Sequence, residues 1–409
     1  MDSNQRFLLK SFRKYYRVNT PLLPDRFTRR EFGFMFFDRT YVQRHMSFTN
    51  QSDLHKFMLG QVPSHSYYST SYYRKPDAPT MDEKGWMGAE LIFDLDADHL
   101  EGAGNMTYAE MLVEIRSQMI HLVDTFLMDN LGFQEDQIHI TFSGGRGYHA
   151  HVRTPDIMGL GSPERRELVD FITGHGLNID WVFPINKVPT SQITTGSGVR
   201  TNIAKDRLIP PEDSGGWKLM MRNALMDVVT DLCDGDVKRF KKEYPSIKGS
   251  GDDTLYKAQD ELRKTRGILF QKNTMAVLSA PTQNILVKVM KEDMAPRLSG
   301  EVDEPVTADI KRLIRLPGSV HGKSGLRVTP LSRAQLTDFD PLQMAVPAEY
   351  SDEEVKITMK KPTKLDMKGQ HFDLEGETTV PEYAAIFLIG RKMATYGFAS
   401  EEQEKEKLF

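Results

Sequence analysis

Residues 91–98 read Leu-Ile-Phe-Asp-Leu-Asp-Ala-Asp, an apolar strand lead-in that passes into alternating carboxylates. Side chains alternate faces along a strand, so the pattern predicts Asp94, Asp96 and Asp98 on one side, with Leu95 and Ala97 on the other. Neighbouring carboxylates on one face repel each other, and only a cation or a set of arginines makes that arrangement favourable. Hard oxygen ligands at this spacing suit Mg²⁺ or Mn²⁺, and two such ions ~3.5–4 Å apart would clamp a transferring phosphoryl group. Taken alone, the pattern also fits a solvated strand end, so its meaning depends on the rest of the chain.

At 409 residues the chain has room for two or three domains and a substantial core. Its formal charge of −4 excludes a protein that is basic all over, so contact with nucleic acid must rest on local patches. Asp2, Arg6, Lys10, Arg13, Lys14 and Arg17 break up any signal-peptide core, and no stretch approaches the ~20 apolar residues of a membrane span. The expectation is a cytoplasmic protein with no membrane partner. Cys233 is the single cysteine, so neither an internal disulfide nor a CxxC zinc site is available.

Residues 6–18 have the spacing of an amphipathic helix with a basic face, and aromatic and β-branched residues predict strands around Glu31–Phe37 and Tyr41–Phe48. The Tyr- and Ser-rich stretch 62–85 reads as loop, and 107–131 as a long core helix. Two alternating runs joined at Ser143–Gly147 predict a β-hairpin. Ser162-Pro163-Glu164 opens another helix, while 186–216 reads as loop and 217–284 as a charged, mostly helical insertion. Strand-like content returns at Asn284–Met290, a helix is expected over Thr307–Arg315, and Thr379 caps a last helix over Val380–Met393 with Pro381 at its start. The domain plan is a catalytic core over 1–216 and 285–345, an insertion at 217–284, and a C-terminal segment at 346–409 whose helix packs on the core.

Two further elements carry chemistry. Ser143, Gly144, Gly145, Arg146 and Gly147 combine a hydroxyl, glycines that let amides approach an anion, and a guanidinium suited to phosphate. His149 follows two residues later, whereas His139 and His151 read as ordinary sheet histidines. Residues 303–328 add Asp303 and Asp309, the cations Lys311, Arg312 and Arg315, and a Ser-Val-His-Gly turn containing His321. Acidic metal ligands together with two groups of phosphate ligands are what nucleotidyl transfer requires.

DLDAD, then SGGRGYH about fifty residues on, then RLPGSVHGKSGL well downstream, resembles the small catalytic subunit of archaeo-eukaryotic primases. The forms SVHGKSGL and RELVDFITGHGL resemble archaeal members. The resemblance spans nearly the whole chain and is weakest over 217–284. It implies a mixed α/β primase catalytic core carrying a mostly helical lobe, and a DNA-directed primase that makes short primers on single-stranded DNA from NTPs or dNTPs. Asp94 and Asp96 match the paired ligands of two Mg²⁺ or Mn²⁺ ions; Asp303 best matches the third, with Asp309 the competing choice. Ser143, Arg146, His149, Arg315 and His321 match ligands of the nucleotide triphosphate. Asp98 would support the metal ligands, and Glu31, Tyr41 and Arg44 fall near positions that assist the incoming nucleotide. Many members carry a zinc knuckle after the acidic strand; this chain has HLEGAGNMTYAEML there, so no zinc is expected. A large regulatory subunit is implied as a separate chain. A repair or plasmid primase-polymerase, and an inactive nucleic-acid-binding module, are the alternatives.

Overall fold

Leu91, Ile92, Phe93 and Leu95 are fully or almost fully buried, and their burial anchors the acidic strand Leu91–Asp96 in the core of a four-stranded antiparallel sheet. The computed structural model describes residues 1–100, 102–195 and 198–400. The sheet runs in the order Thr329–Leu331, Ile138–Phe142, Gly147–Val152, Leu91–Asp96, so the predicted hairpin supplies its centre. A strand edge left open invites unwanted pairing. Here the outer edge of the acidic strand is met by the Asp303 amide, which donates to the Asp94 carbonyl at 3.0 Å, at the start of the short helix Glu304–Ala308.

A second antiparallel sheet orders Leu313–Arg315, His65–Ser69, Phe32–Met35 and Gln43–Met46. Two expectations are corrected by it. Within 62–85, His65–Ser69 and Ser71–Tyr73 are strands, because Tyr68, Tyr72 and Tyr73 are buried and their backbones pair. The helix expected over Thr307–Arg315 ends at Ala308, and Leu313 through Arg315 pair with Ser69 through Tyr67. A ladder partner distant in sequence decides what local spacing left open.

The chain divides into two compact units, Met1–Val169 with Glu301–Phe409, and Asp170–Gly300. The second unit is thus wider than the 217–284 segment. It contains the helices Gly216–Asp234, Val237–Glu243, Asp252–Gln271 and Ala280–Val289. Trp217, Met221, Leu225, Val228 and Leu232 form the buried stripe of the first. Asn284–Met290 is therefore helical, not strand-like: Pro281 sits in the first turn, and Ile285, Leu286 and Val289 are buried at helical spacing. The 186–216 stretch is also corrected. Ile185–Thr195 pairs with Gly198–Arg207 as a long hairpin, held by a backbone ladder that a Thr-, Ser- and Gly-rich sequence conceals.

The first unit closes with the sheet Glu377–Pro381, Glu354–Met359, Ala394–Tyr396 and the helix Glu382–Gly390. Thr379 lies within a strand, and Pro381 takes the cap position instead. Every residue from Glu382 to Ile389 is buried, as expected of a helix apolar on all sides. Its one charge, Glu382, is met by Lys14 at 2.9 Å and by the hydroxyls of Ser11 and Ser351. The N-terminal helix Ser3–Val18 packs against it. No helix among the described residues is long and apolar enough to cross a membrane.

Candidate active site

Asp94 stands opposite His149 in the ladder, and Asp96 opposite Gly147. A Cβ at position 147 would lie 2.2 Å from the Leu95 carbonyl oxygen, so only glycine lets the turn close against the acidic strand. The His149 Nε2 is 3.3 Å from the Asp94 Oδ1. Burial holds the His149 imidazole far below its ordinary pKa, reinforced by His151, Arg315 and Arg312, so it is neutral beside the carboxylate; its Nδ1 has no partner. Burial, then Asp96, then Asp303, pushes the Asp94 carboxyl up to about 7.

Asp303 and Asp309 differ in which groups they act on. Asp303 is close enough to raise Asp94, whereas Asp309 acts on Arg44, Tyr73 and Arg165 and accepts from the Lys311 amide at 2.8 Å. Asp98 does not share the strand face: the strand ends at Asp96, a 3₁₀ turn carries Asp98 outward, and it pairs with Arg146. Among the described residues no three Asp, Glu, His or Cys side chains are drawn together closely enough to hold a metal ion as they stand. Nor does any lysine or arginine among them reach ion-pair distance of Asp94, Asp96 or Asp303. Arg312 and Arg315 act on Asp94 only from beyond that distance and leave its carboxyl raised, so the mutual repulsion is only partly offset by protein charge. Hard carboxylate oxygens in that condition fit a divalent cation.

The two glycine turns lock together. Ser143 Oγ accepts from the amides of Gly145 and Gly147 at 3.2 and 3.3 Å, so the hydroxyl shapes its own turn. Ser324 donates to the Gly144 carbonyl at 2.5 Å, and a Cβ on Gly144 would lie 2.8 Å from that of His321. His321 is nearly buried, its ring 4.7 Å from that of His65. His65 Nδ1 accepts from the Gly322 amide at 3.2 Å and faces Arg315 Nη1 at 2.5 Å, which makes it the unprotonated nitrogen. Burial and the neighbouring Arg315 keep that imidazole neutral. Arg315 also lies over the Tyr67 ring at 4.6 Å, so its direction is fixed.

These parts enclose a cavity of about 540 Å³. One wall is acidic (Asp94, Asp96, Asp98), and the others carry Arg146, Arg312, Arg315, Lys323, Arg391 and Lys392 beside His149 and His321. A second cavity, about 580 Å³, lies against the same Asp94 and Asp96 and adds Asp303, Glu301 and Glu304 with Leu95, Leu100, Ile115 and Pro305. Asp94 and Asp96 thus stand between a cationic chamber and one that is acidic and apolar.

The family model of the DNA primase small subunit matches residues 93–333. The chain is 41% identical to the DNA primase small subunit of Methanocella arvoryzae, over 97% of this chain and 99% of that protein. For the same subunit of Methanococcoides burtonii the identity is 41%, over 97% and 100%, and for Picrophilus torridus it is 36%, over 95% and 97%. The chain belongs to the DNA primase small subunit family. As a primase small subunit of archaeal type it is a nucleotidyltransferase of DNA replication, and primases use divalent metal.

The primase motifs supply Asp94, Asp96, Asp98, Ser143, Arg146, His149, Arg315 and His321 to the first cavity, and Asp303 to the second. Glu31, Tyr41 and Arg44 line neither. Buried Glu31 accepts from Arg44 at 2.9 and 3.1 Å, from the His45 amide at 2.9 Å and pairs with Lys84 at 3.0 Å, while Tyr41 is exposed. Sequence reasoning missed His65, Tyr67, Lys323 and Arg391. Lys323 follows the His-Gly pair and was legible there; Tyr67 and His65 sit in the stretch read as loop, and Arg391 just past the end of a helix with no motif.

Proposed function

We propose that Asp94, Asp96 and Asp303 hold two divalent ions, Mg²⁺ or Mn²⁺, and that the cationic cavity takes the triphosphate of an incoming nucleotide. The ions, when bound, would neutralise the triphosphate and make the attacking 3′-hydroxyl more acidic. The residues of the chain orient and stabilise. Arg146 and Arg315 present guanidinium forks suited to phosphate oxygens, and neutral His149 and His321 offer hydrogen bonds without adding charge. The pyrophosphate leaves among these cations, which stabilise it where its charge develops. The acidic and apolar second cavity disfavours a polyphosphate and suits the sugar that carries the acceptor hydroxyl. Short primers on a single-stranded DNA template, from NTPs or dNTPs, would be the product. A large regulatory subunit would be the partner, and the nucleoid in the cytoplasm the place of action.

The observation that carries this reading is the placement of Asp94 and Asp96 between the two chambers. The test is primer synthesis from labelled nucleotides on single-stranded DNA by Asp94→Asn and Asp96→Asn, with the large subunit present. Both variants should fold, since each relieves repulsion, and both should be inactive. More than a few per cent of residual synthesis by either would sink the assignment.

A further inference from the structure

The C-terminal helix Glu382–Gly390 lies beyond the segment that matches the family model, yet its end reaches the nucleotide cavity. A Cβ on Gly390 would stand 3.1 Å from the Lys323 backbone, and one on Gly325 only 2.3 Å from the Ile386 side chain. The helix therefore presses directly against the turn that carries His321 and Lys323. The next two residues, Arg391 and Lys392, line the cavity. Lys392 adopts φ of 61°, a left-handed conformation usually left to glycine.

Arg391 is held in place and left short of partners. Its guanidinium lies 4.2 Å from the ring centre of Tyr108 and 5.7 Å from that of Phe387. The Tyr108 hydroxyl donates in turn to the Gly145 carbonyl, which ties the stacked pair to the glycine turn. The Arg391 Nε is buried and has no hydrogen-bond partner. A buried donor left unpaired is costly. Arg146 stands across the same turn, and the two positive charges act against each other, with exposed Asp98 the nearby counter-charge. Two oriented guanidiniums thus face one cavity, where an anion would offset the repulsion between them.

We propose that Arg391, with Lys392 beside it, binds the phosphate tail of the nucleotide and the pyrophosphate that leaves, so that the C-terminal helix completes the cationic chamber. This inference rests on the cavity being the nucleotide site. The stacking on Tyr108 fixes the guanidinium plane, and the contact with the His321–Ser324 turn fixes its distance from the other phosphate ligands. The C-terminal segment thus acts on substrate and does more than cover the core.

The test compares Arg391→Met, which keeps the stacked aliphatic stem without charge, with Arg391→Lys, which keeps the charge, and with Arg146→Ala. Each is assayed in primer extension on single-stranded DNA with the large subunit, for nucleotide KM, kcat and inhibition by inorganic pyrophosphate. Loss of one charge-assisted contact is expected to raise KM about tenfold and to weaken pyrophosphate inhibition about as much. The effect on KM should exceed that on kcat, and Arg391→Lys should recover most of it. If Arg391→Met matches wild type in KM and pyrophosphate inhibition while Arg146→Ala does not, the inference is wrong and the nucleotide site stands. If both variants match wild type, the nucleotide site itself falls, and the inference with it. Equal damage by Met and Lys would assign Arg391 to packing and overturn the proposal.

Discussion

The amide of Asp303 donates to the carbonyl of Asp94 at 3.0 Å, joining two carboxylate residues 209 positions apart along the chain. This bond closes the open edge of the acidic strand and brings the third carboxylate near the first two. It is the contact through which the C-terminal part of the first unit completes the acidic side of the site.

Asp303 and Asp309 should therefore respond differently to substitution. Asp303→Ala should abolish primer synthesis, since its charge acts on Asp94. Asp309→Ala should retain most activity, because that side chain accepts from the Lys311 amide and acts on Arg44 and Arg165. Steady-state synthesis by the two purified variants decides between them, and the reverse order would move the third ligand to Asp309.

Arg146→Ala and His149→Ala should weaken nucleotide use far more than template binding. Both side chains line the cationic cavity, and His149 touches Asp94. Removing groups that stabilise a departing pyrophosphate typically costs ~10²–10³ in rate. Nucleotide titrations alongside fluorescence-anisotropy binding of single-stranded DNA separate the two effects. A collapse of template affinity with intact nucleotide use would make the glycine turn a DNA contact.

Glu90 carries a stability prediction. It is buried against Arg30, His151 and Arg153, with His151 Nδ1 at 2.9 Å and Arg153 at 2.8 Å. Burial opposes its charge, but Arg30, then His151 and Arg153, outweigh it and hold the carboxyl well below 4.5. A depressed carboxyl stabilises the fold above its unfolded pKa. Stability should therefore be full above about pH 4.5 and fall as the pH drops below that toward the depressed value. Glu90→Gln leaves Arg30 buried without its carboxylate, which costs about 3–5 kcal/mol. The melting temperature at pH 7 should drop by roughly 10 °C, and its dependence on acid should flatten. A melt within about 2 °C of wild type at pH 7 would contradict the network's role.

Template affinity should be weak and shallow in salt for the isolated chain, because its formal charge is −4 and Lys14 is committed to Glu382. Lys10, Arg13, Arg17 and the Lys238–Lys248 segment remain as candidates for phosphate contacts. Each contact adds about −0.7 to the slope of log affinity against log salt on single strands. The large subunit should raise both affinity and slope. Tight binding by this chain alone, with a slope steeper than about −3, would favour a primase-polymerase that works without that partner.

What was legible in the sequence was whatever short-range pattern enforces. The acidic strand, the SGGRG hairpin and the charged helices within 217–284 follow from alternation, turn glycines and helical spacing, each set by residues a few positions apart. The family motifs named most of the charged residues of the cationic cavity for the same reason, since each motif is a local run. Tertiary structure decided the rest. Leu313–Arg315 became a strand because Ser69 through Tyr67 were there to pair with it, and the 186–216 stretch became a hairpin through its own backbone ladder. Asp98 left the face of the strand, though not the cavity wall, because the strand ends at Asp96 and the turn that follows meets Arg146. Glu31 and Arg44 satisfied each other away from the cavity, and Arg391 entered it from a helix without a motif. A backbone hydrogen bond, an ion pair or a stacked ring acts through space between partners that local spacing does not bring together, and at this site those long-range contacts choose which charges face the cavity.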